Sequence, residues 1–284
     1  MRHFTQKEIE FVKAQLELEI PYHRFLKEVL HCNGRTFRRM CLECGFEYPN
    51  FRKRIINKNP FLDLNNKNVM YWLGWLATDG YISLKESRIS LGLSSKDLDV
   101  IEKFRDFLSP KLKIVHKIQH GQFEICQISF RNKEVTNYLY NLGFKENKTF
   151  NFIPNFEITW DYIRGVFEGD GYLRWGDIKE LNITSACKKH IEIIKKFTDN
   201  FGIKSYIREA VKPNGTTMYN YEIYTKNHIT KFIDYIYKDA ETFMNRKFSL
   251  ARVTSNSDWK ALKFGEPASG IPSQISDIEE GVTT

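Results

Sequence analysis

The sequence predicts an α+β protein of two similar α-β-β-α-β-β-α repeats with antiparallel sheets, preceded by a small helical domain. Three observations carry this. Two ten-residue segments, 72–81 and 163–172, are near copies, each an apolar run with an internal glycine that ends in Asp-Gly-Tyr. Each is followed by the same series of strand-like and helix-like runs. The first 47 residues, in contrast, show helical periodicity alone. A repeat at domain-sized spacing is the strongest organising signal a chain offers. Paired strands joined by turns, with helices between the pairs, make antiparallel sheets covered on one face and free on the other.

Taken in order, residues 4–45 read as three short helices. Thr5 and Glu8 stand at capping-box spacing, and Ile9, Phe11, Val12, Leu16 and Leu18 give the first helix an apolar face. Pro21 opens the second, with Phe25, Leu26, Val29 and Leu30 recurring at helical steps. A turn at 31–34 leads to a third helix over 35–42, closed by Gly45. Helix, glycine-containing turn and Arg-rich helix form the helix-turn-helix pattern, so Arg35, Arg38 and Arg39 are candidate DNA contacts in a domain spanning 1–47. Residues 48–66 form a connector in which Arg52, Lys53 and Arg54 suit a phosphate backbone.

The first repeat, 67–150, begins with a helix ending near Thr78. Strands are expected over 80–84 and 88–93, the latter alternating as Ile89, Leu91 and Leu93. A helix over 96–108, a hairpin of 113–119 and 123–130 about Gly121, and a helix over 134–142 ended by Gly143 follow. The second repeat, 151–254, matches it: helix 161–169, strands 171–175 and 180–184, helix 188–201 stopped by Gly202. Strands 204–211 and 218–224 then flank the Pro213-Asn214-Gly215 turn signal, and helices follow over 227–238 and 241–251. From 255 to 284 apolar content falls away, as in a disordered tail.

Composition narrows the partners. Net charge is +8 over 284 residues and the isoelectric point is near 9.1, which favours a polyanion. Five cysteines, Cys32, Cys41, Cys44, Cys126 and Cys187, are odd in number and scattered. They read as reduced thiols of an intracellular, cytoplasmic protein, and the Cys41–Cys44 pair lacks the second pair a zinc site needs. No apolar run approaches the roughly 18 residues of a membrane span, so no membrane partner is expected.

The chemistry sits in the repeated segments. A glycine inside a helix costs about 1 kcal/mol relative to alanine, which close approach of two helix backbones at Gly74 and Gly165 would offset. Packing there sets Asp79 and Asp170 side by side at a pseudo-two-fold interface. Two adjacent carboxylates repel and raise one pKa unless a cation lies between them. Carboxylates and water select Mg²⁺ or Mn²⁺, and such metals activate water against a phosphodiester.

Both segments fit apolar-x-Gly-apolar-apolar-x-x-Asp-Gly and resemble the LAGLIDADG motif of homing endonucleases and related group I intron maturases, over about residues 66–250. Ala77 and Glu168 stand where the name-giving sequence has its first Asp. The resemblance implies a single-chain, monomeric, Mg²⁺- or Mn²⁺-dependent endonuclease for double-stranded DNA, with Asp79 and Asp170 as catalytic metal ligands. It implies that Lys148 and Lys247, which follow the terminal helix of each half, reach the active site. It also implies DNA reading by the open sheet faces, where Lys85, Arg88, Lys117, Gln119, Gln127, Arg131, Arg174, Arg208, Lys212, Asn220 and Lys226 would serve. Two other readings stay open: an RNA-binding maturase that takes structured RNA, and a non-cleaving, DNA-binding transcriptional regulator.

Overall fold

A computed structural model describes residues 5, 10, 33–43, 58–119 and 123–254. The chain divides into two compact units, Met1–Asn57 and Lys58–Thr284.

In the first unit, helix α1 (Gly34–Glu43) is the third of the three expected helices. Asn33 caps it: its side-chain oxygen accepts from the backbone N–H and the hydroxyl of Thr36, at 3.0 and 3.2 Å. Phe37 and Met40, three residues apart, are buried, while Arg35 and Arg38 are exposed. Arg39 pairs with Glu43 one turn on, at 3.4 Å. The first two helices of the expected bundle, the connector up to residue 57 with Arg52, Lys53 and Arg54, and the tail from 255 lie outside the described residues.

The second unit begins at Lys58. Phe61, inside the stretch read as a connector, is fully buried and packs edge-on against Phe107 at 5.4 Å. The first repeat then runs α2 (Lys67–Thr78), β1 (Gly80–Ser83), β2 (Arg88–Ser94), α3 (Leu98–Leu108), β3 (Val115–Gln119), β4 (Phe123–Arg131), α4 (Lys133–Asn141) and a single turn, α5 (Lys148–Asn151). The second runs α6 (Trp160–Asp170), β5 (Gly171–Trp175), β6 (Lys179–Ser185), α7 (Lys188–Asp199), β7 (Tyr206–Val211), β8 (Thr217–Ile223), α8 (Lys226–Tyr237) and α9 (Asn245–Thr254). The expected element order holds throughout; α5 is an addition.

Each repeat makes one four-stranded antiparallel sheet, in the orders β1-β2-β4-β3 and β5-β6-β8-β7. Strand side chains alternate between two faces. Ile89, Leu91, Cys126 and Ile128 line the covered face of the first sheet, and Leu181, Ile183, Tyr221 and Ile223 that of the second. Helices α3 and α7 pack on these faces. The opposite faces carry polar, basic and aromatic side chains. Among the described residues, no helix is long and apolar enough to cross a membrane.

Candidate active site and nucleic-acid interface

The two repeats meet along α2 and α6, and the meeting point is the glycine pair. A Cβ built on Gly74 would strike the carbonyl of Tyr162 and lie 2.8 Å from Val166 N and 2.9 Å from Gly165 Cα. One built on Gly165 would strike the carbonyl of Tyr71 and lie 3.0 Å from Gly74 Cα. Backbone touches backbone, as the sequence requires of helices that carry an internal glycine. Asn66 holds the start of α2 by accepting from the N–H groups of Asn68 and Val69, and Thr159 holds α6 by accepting from Tyr162. Both helices therefore enter the interface fixed at their N-termini, and their C-terminal ends fall together.

Asp79 and Asp170 occupy those ends. The Asp79 carboxylate lies against the last turn of α6: a Cβ on Gly169 would sit 2.8 Å from Asp79 Oδ2. The glycine that follows each aspartate is needed because the chain folds straight back over its own helix. A Cβ on Gly80 would come within 2.6 Å of Leu76 Cα, and one on Gly171 within 2.9 Å of Phe167 Cα. Thr78 donates its hydroxyl to Asp79 Oδ2 at 3.0 Å.

Asp79, Asp170, Lys148 and Lys247 lie within electrostatic reach of one another. Both carboxylates keep solvent access while protein surrounds their inner sides. Desolvation raises the pKa of Asp79 above the usual carboxylate value, against the Thr78 hydrogen bond and the charges of Lys148 and Lys247. Desolvation, then the Asp79 charge, pushes Asp170 up to about 6, against Lys148, Lys247 and Lys212. The lysines answer in kind. Burial lowers each to about 8, and both aspartates oppose that shift.

The lysines arrive by matching routes. Lys148 Nζ donates to the carbonyls of Ala77 and Thr78, both at 2.8 Å, at the end of α2. Lys247 Nζ donates to the carbonyls of Phe167 and Gly171, at 2.8 and 2.6 Å, at the end of α6. A cation there complements the negative end of the helix dipole. Each lysine rides on a strap anchored to the opposite repeat. The strap after the first repeat passes the second, where Cys187 Sγ donates to Phe152 O at 3.2 Å and Phe152 packs on His190. The strap after the second repeat returns to the first. Lys103 donates to Phe243 O at 2.6 Å, Asn245 N–H donates to Asp99 at 3.0 Å, and Arg246 pairs with Asp97 at 3.2 Å.

One buried network went unforeseen. Glu168, 1% exposed, accepts from Tyr71 O–H at 2.6 Å, Tyr237 O–H at 2.9 Å and Met244 N–H at 2.8 Å. Burial raises its pKa despite these bonds. Buried Arg164 stacks over Tyr71 at 5.0 Å and bonds Asp161, Ile236 O and Thr242 O. The glutamate joins α6 to α2 and to the strap that carries Lys247. Its position in the motif was the available signal, but its partners are remote in sequence.

The candidate DNA-binding residues divide by placement. Strand register puts Arg88, Lys117, Gln127 and Arg131 on the open face of the first sheet, and Arg174, Arg208 and Asn220 on that of the second. Gln119 ends β3 opposite Phe123. Three of the residues assigned to strands lie elsewhere. Lys85 falls in the turn between β1 and β2, Lys212 in the connection after β7, and Lys226 is the first residue of α8. Lys212 lines a cavity of about 430 Å³ beside Asp170, together with Lys148, Thr184 and Asn214. Sequence reasoning also passed over Tyr81 and Tyr172, 47% and 53% exposed, which follow the two Asp-Gly pairs onto the open faces.

The donor set suits a hard cation. No group of three or more His, Cys, Asp and Glu that could hold a metal occurs among the described residues. Mg²⁺ takes one or two carboxylates and fills its remaining positions with water and substrate phosphate, which is what Asp79 and Asp170 offer.

Two open antiparallel sheets flanking a carboxylate pair, delivered by two glycine-packed helices, define a two-repeat α+β protein of pseudo-symmetric design. The model of the LAGLIDADG-like domain matches residues 66–143 and 159–237, over half of the sequence, and the chain belongs to this family. Similar solved structures include I-DmoI in complex with DNA and Ca, at 18% identity over 68% of this chain and 98% of that one, with a TM-score of 0.45. The N-terminal LAGLIDADG domain of DUF199/WhiA is similar at 16% identity, 69% and 93% coverage and a TM-score of 0.44. Among curated proteins, the glutamine–fructose-6-phosphate aminotransferase of Methanocaldococcus jannaschii is 24% identical over 206 residues. That match takes in 69% of this chain but only 18% of the aminotransferase.

Proposed function

We propose that the protein is a site-specific endonuclease that hydrolyses phosphodiesters of double-stranded DNA, acting as a monomer with Mg²⁺ or Mn²⁺ held by Asp79 and Asp170. The observation that carries this is placement: the aspartates that end the two glycine-packed helices lie at one interface, the Asp79 carboxylate against the last turn of α6, with a part-buried lysine at the end of each helix. A bound divalent ion supplies positive charge and a water of lowered pKa. Asp79 and Asp170 hold and orient that ion. Lys148 and Lys247 stabilise charge that develops on the phosphate, and their burial strengthens this by excluding competing water. The open sheet faces supply phosphate and base contacts through Arg88, Lys117, Gln127, Arg131, Arg174, Arg208 and Asn220.

A randomised duplex library incubated with Mg²⁺ or with EDTA tests the reading. The expected result is cleavage at one long, asymmetric site with Mg²⁺ and none with EDTA. Binding without cleavage in Mg²⁺ and Mn²⁺ would overturn it. That outcome favours the second reading, a non-cleaving DNA-binding regulator, which one feature supports: both lysines already cap helix ends through two carbonyls each. Preference for structured RNA in competition would favour a maturase.

A further inference from the structure

The open face of the second sheet holds a carboxylate with almost no solvent contact. Glu222 on β8 is 1% exposed, on the face where a polyanion is expected. An uncovered acid there would repel phosphate. Glu222 instead lies under three donors. Arg208 reaches Oε1 with Nε at 2.7 Å and with Nη2 at 2.6 Å. Tyr224 O–H donates to Oε2, and Asn182 Nδ2 reaches Oε1 at 3.4 Å.

The Nε–Nη2 edge of the guanidinium is thus engaged with protein. The other fork, one N–H from Nη1 and one from Nη2, stays available, and 59% of the Arg208 side chain is exposed. In the major groove guanine presents two adjacent acceptors, O6 and N7, and an arginine fork binds both at once. A fixed guanidinium has less freedom to lose on forming that pair. We propose that Arg208 reads a guanine in the half of the site facing the second sheet, and that Glu222 is its positioning residue. This rests on the reading that the sheets face duplex DNA.

The first repeat carries a weaker version of the same device. Its register sets Gln127 opposite Val115 and Lys117 two positions on, just as Glu222 stands opposite Tyr206 with Arg208 two positions on. There Lys117 Nζ donates to Gln127 Oε1 at 2.8 Å. Lysine is a mobile point charge without a fork, so that position should tolerate several bases.

The test is selection of bound sequences from a randomised duplex library by the full chain, with Ca²⁺ in place of Mg²⁺. Wild type, Arg208→Lys and Glu222→Gln are compared. The expected result is one guanine position in the wild-type site whose preference falls roughly tenfold to a hundredfold in both variants, every other position unchanged. Should Glu222→Gln fail to fold by melting curve, Arg208→Lys, altered on an exposed side chain, decides the base assignment. The positioning role is then judged with Tyr224→Phe, which loosens the same carboxylate and should soften that guanine alone. A defined wild-type site that Arg208→Lys leaves unchanged overturns the proposal while DNA reading stands. Loss of the guanine in Arg208→Lys with full retention when the glutamate is perturbed overturns the clamp. No enriched duplex sequence for wild type removes the DNA reading and this assignment with it.

Discussion

The two repeats share a backbone plan and differ in what they mount on it. At the centre the match is close: Gly74 answers Gly165, Asp79 answers Asp170, and Lys148 answers Lys247, each lysine donating to two carbonyls at the end of a motif helix, though not to equivalent ones. Away from the centre it breaks. Two residues before each aspartate stand Ala77 and the buried, triply bonded Glu168. On the sheets a Lys–Gln pair in the first repeat faces a clamped Arg–Glu pair in the second. Symmetry is kept where a reaction at two chemically alike phosphodiesters would need it. It is lost where the two halves would meet different bases. On the proposed reading, this is what suits a single chain to an asymmetric site.

The largest expected effect probes the symmetric part. Asp79→Asn and Asp170→Asn should each reduce double-strand cleavage by about a thousandfold or more, since a lost metal ligand removes several kcal/mol of transition-state stabilisation. DNA affinity should change little, because few phosphate contacts go with it. Gel cleavage and binding assays on the same variants separate the two. Wild-type cutting by both would sink the metal assignment. Next come the lysines. Lys148→Met and Lys247→Met should each slow cleavage by about a hundredfold, the cost of one well-placed donor to a developing anion. Each lysine sits at the end of one motif helix within reach of both aspartates, so the two variants should fall to a similar extent. Strand-resolved rates that drop for only one variant would show that the second lysine is a helix cap and nothing more.

The glycine pair gives a stability counterpart. Gly74→Leu and Gly165→Leu put a side chain against backbone that has nowhere to move. Each should cost about 3 kcal/mol, the upper end of ordinary overpacking. For a unit of this size that lowers the melting temperature by roughly 6–12 °C. Equal losses would fit a contact shared between the helices; an unchanged melting curve in both would remove it.

How much of this was legible in the sequence depended on range. The motif helices, both sheets and the aspartate pair were readable because periodicity, turn residues and the repeat are local signals. The glycine contact followed from one local anomaly, a glycine in each apolar helix. The lysines came only through resemblance: nothing local shows that a strap carries Lys148 back to carbonyls 70 residues earlier. Glu168 was noticed only as a departure from the motif, since its partner Tyr71 lies 97 residues away. Glu222 looked like any polar strand residue, because the register that sets Arg208 over it is not written in either strand alone. Lys85, Lys212 and Lys226 were misplaced for a simpler reason. Each lies next to a strand end or a helix start, where one or two residues decide the element.

The smallest effect tests whether the two carboxylates sense each other before any metal arrives. In EDTA, Asp170 should titrate near 6, raised first by desolvation and then by the Asp79 charge. Removing that charge with Asp79→Asn should bring the Asp170 pKa down, though not to the free value, since desolvation remains. The sign of the linked stability follows. A carboxyl whose folded pKa exceeds its unfolded pKa is proton-bound more firmly in the native state, so stability falls as pH rises from about 4 to about 6. Asp170→Asn carries no such titration. Without metal it should therefore melt higher than wild type at pH 7.5, and the gap should close as pH is lowered below about 4. Carbon-detected NMR of the Asp170 carboxyl gives the first number, and melting curves across this pH range give the second. If Asp79→Asn left the Asp170 pKa unchanged, the two halves would bring their acids near one another without coupling them. The paired-carboxylate reading would then lose its electrostatic support.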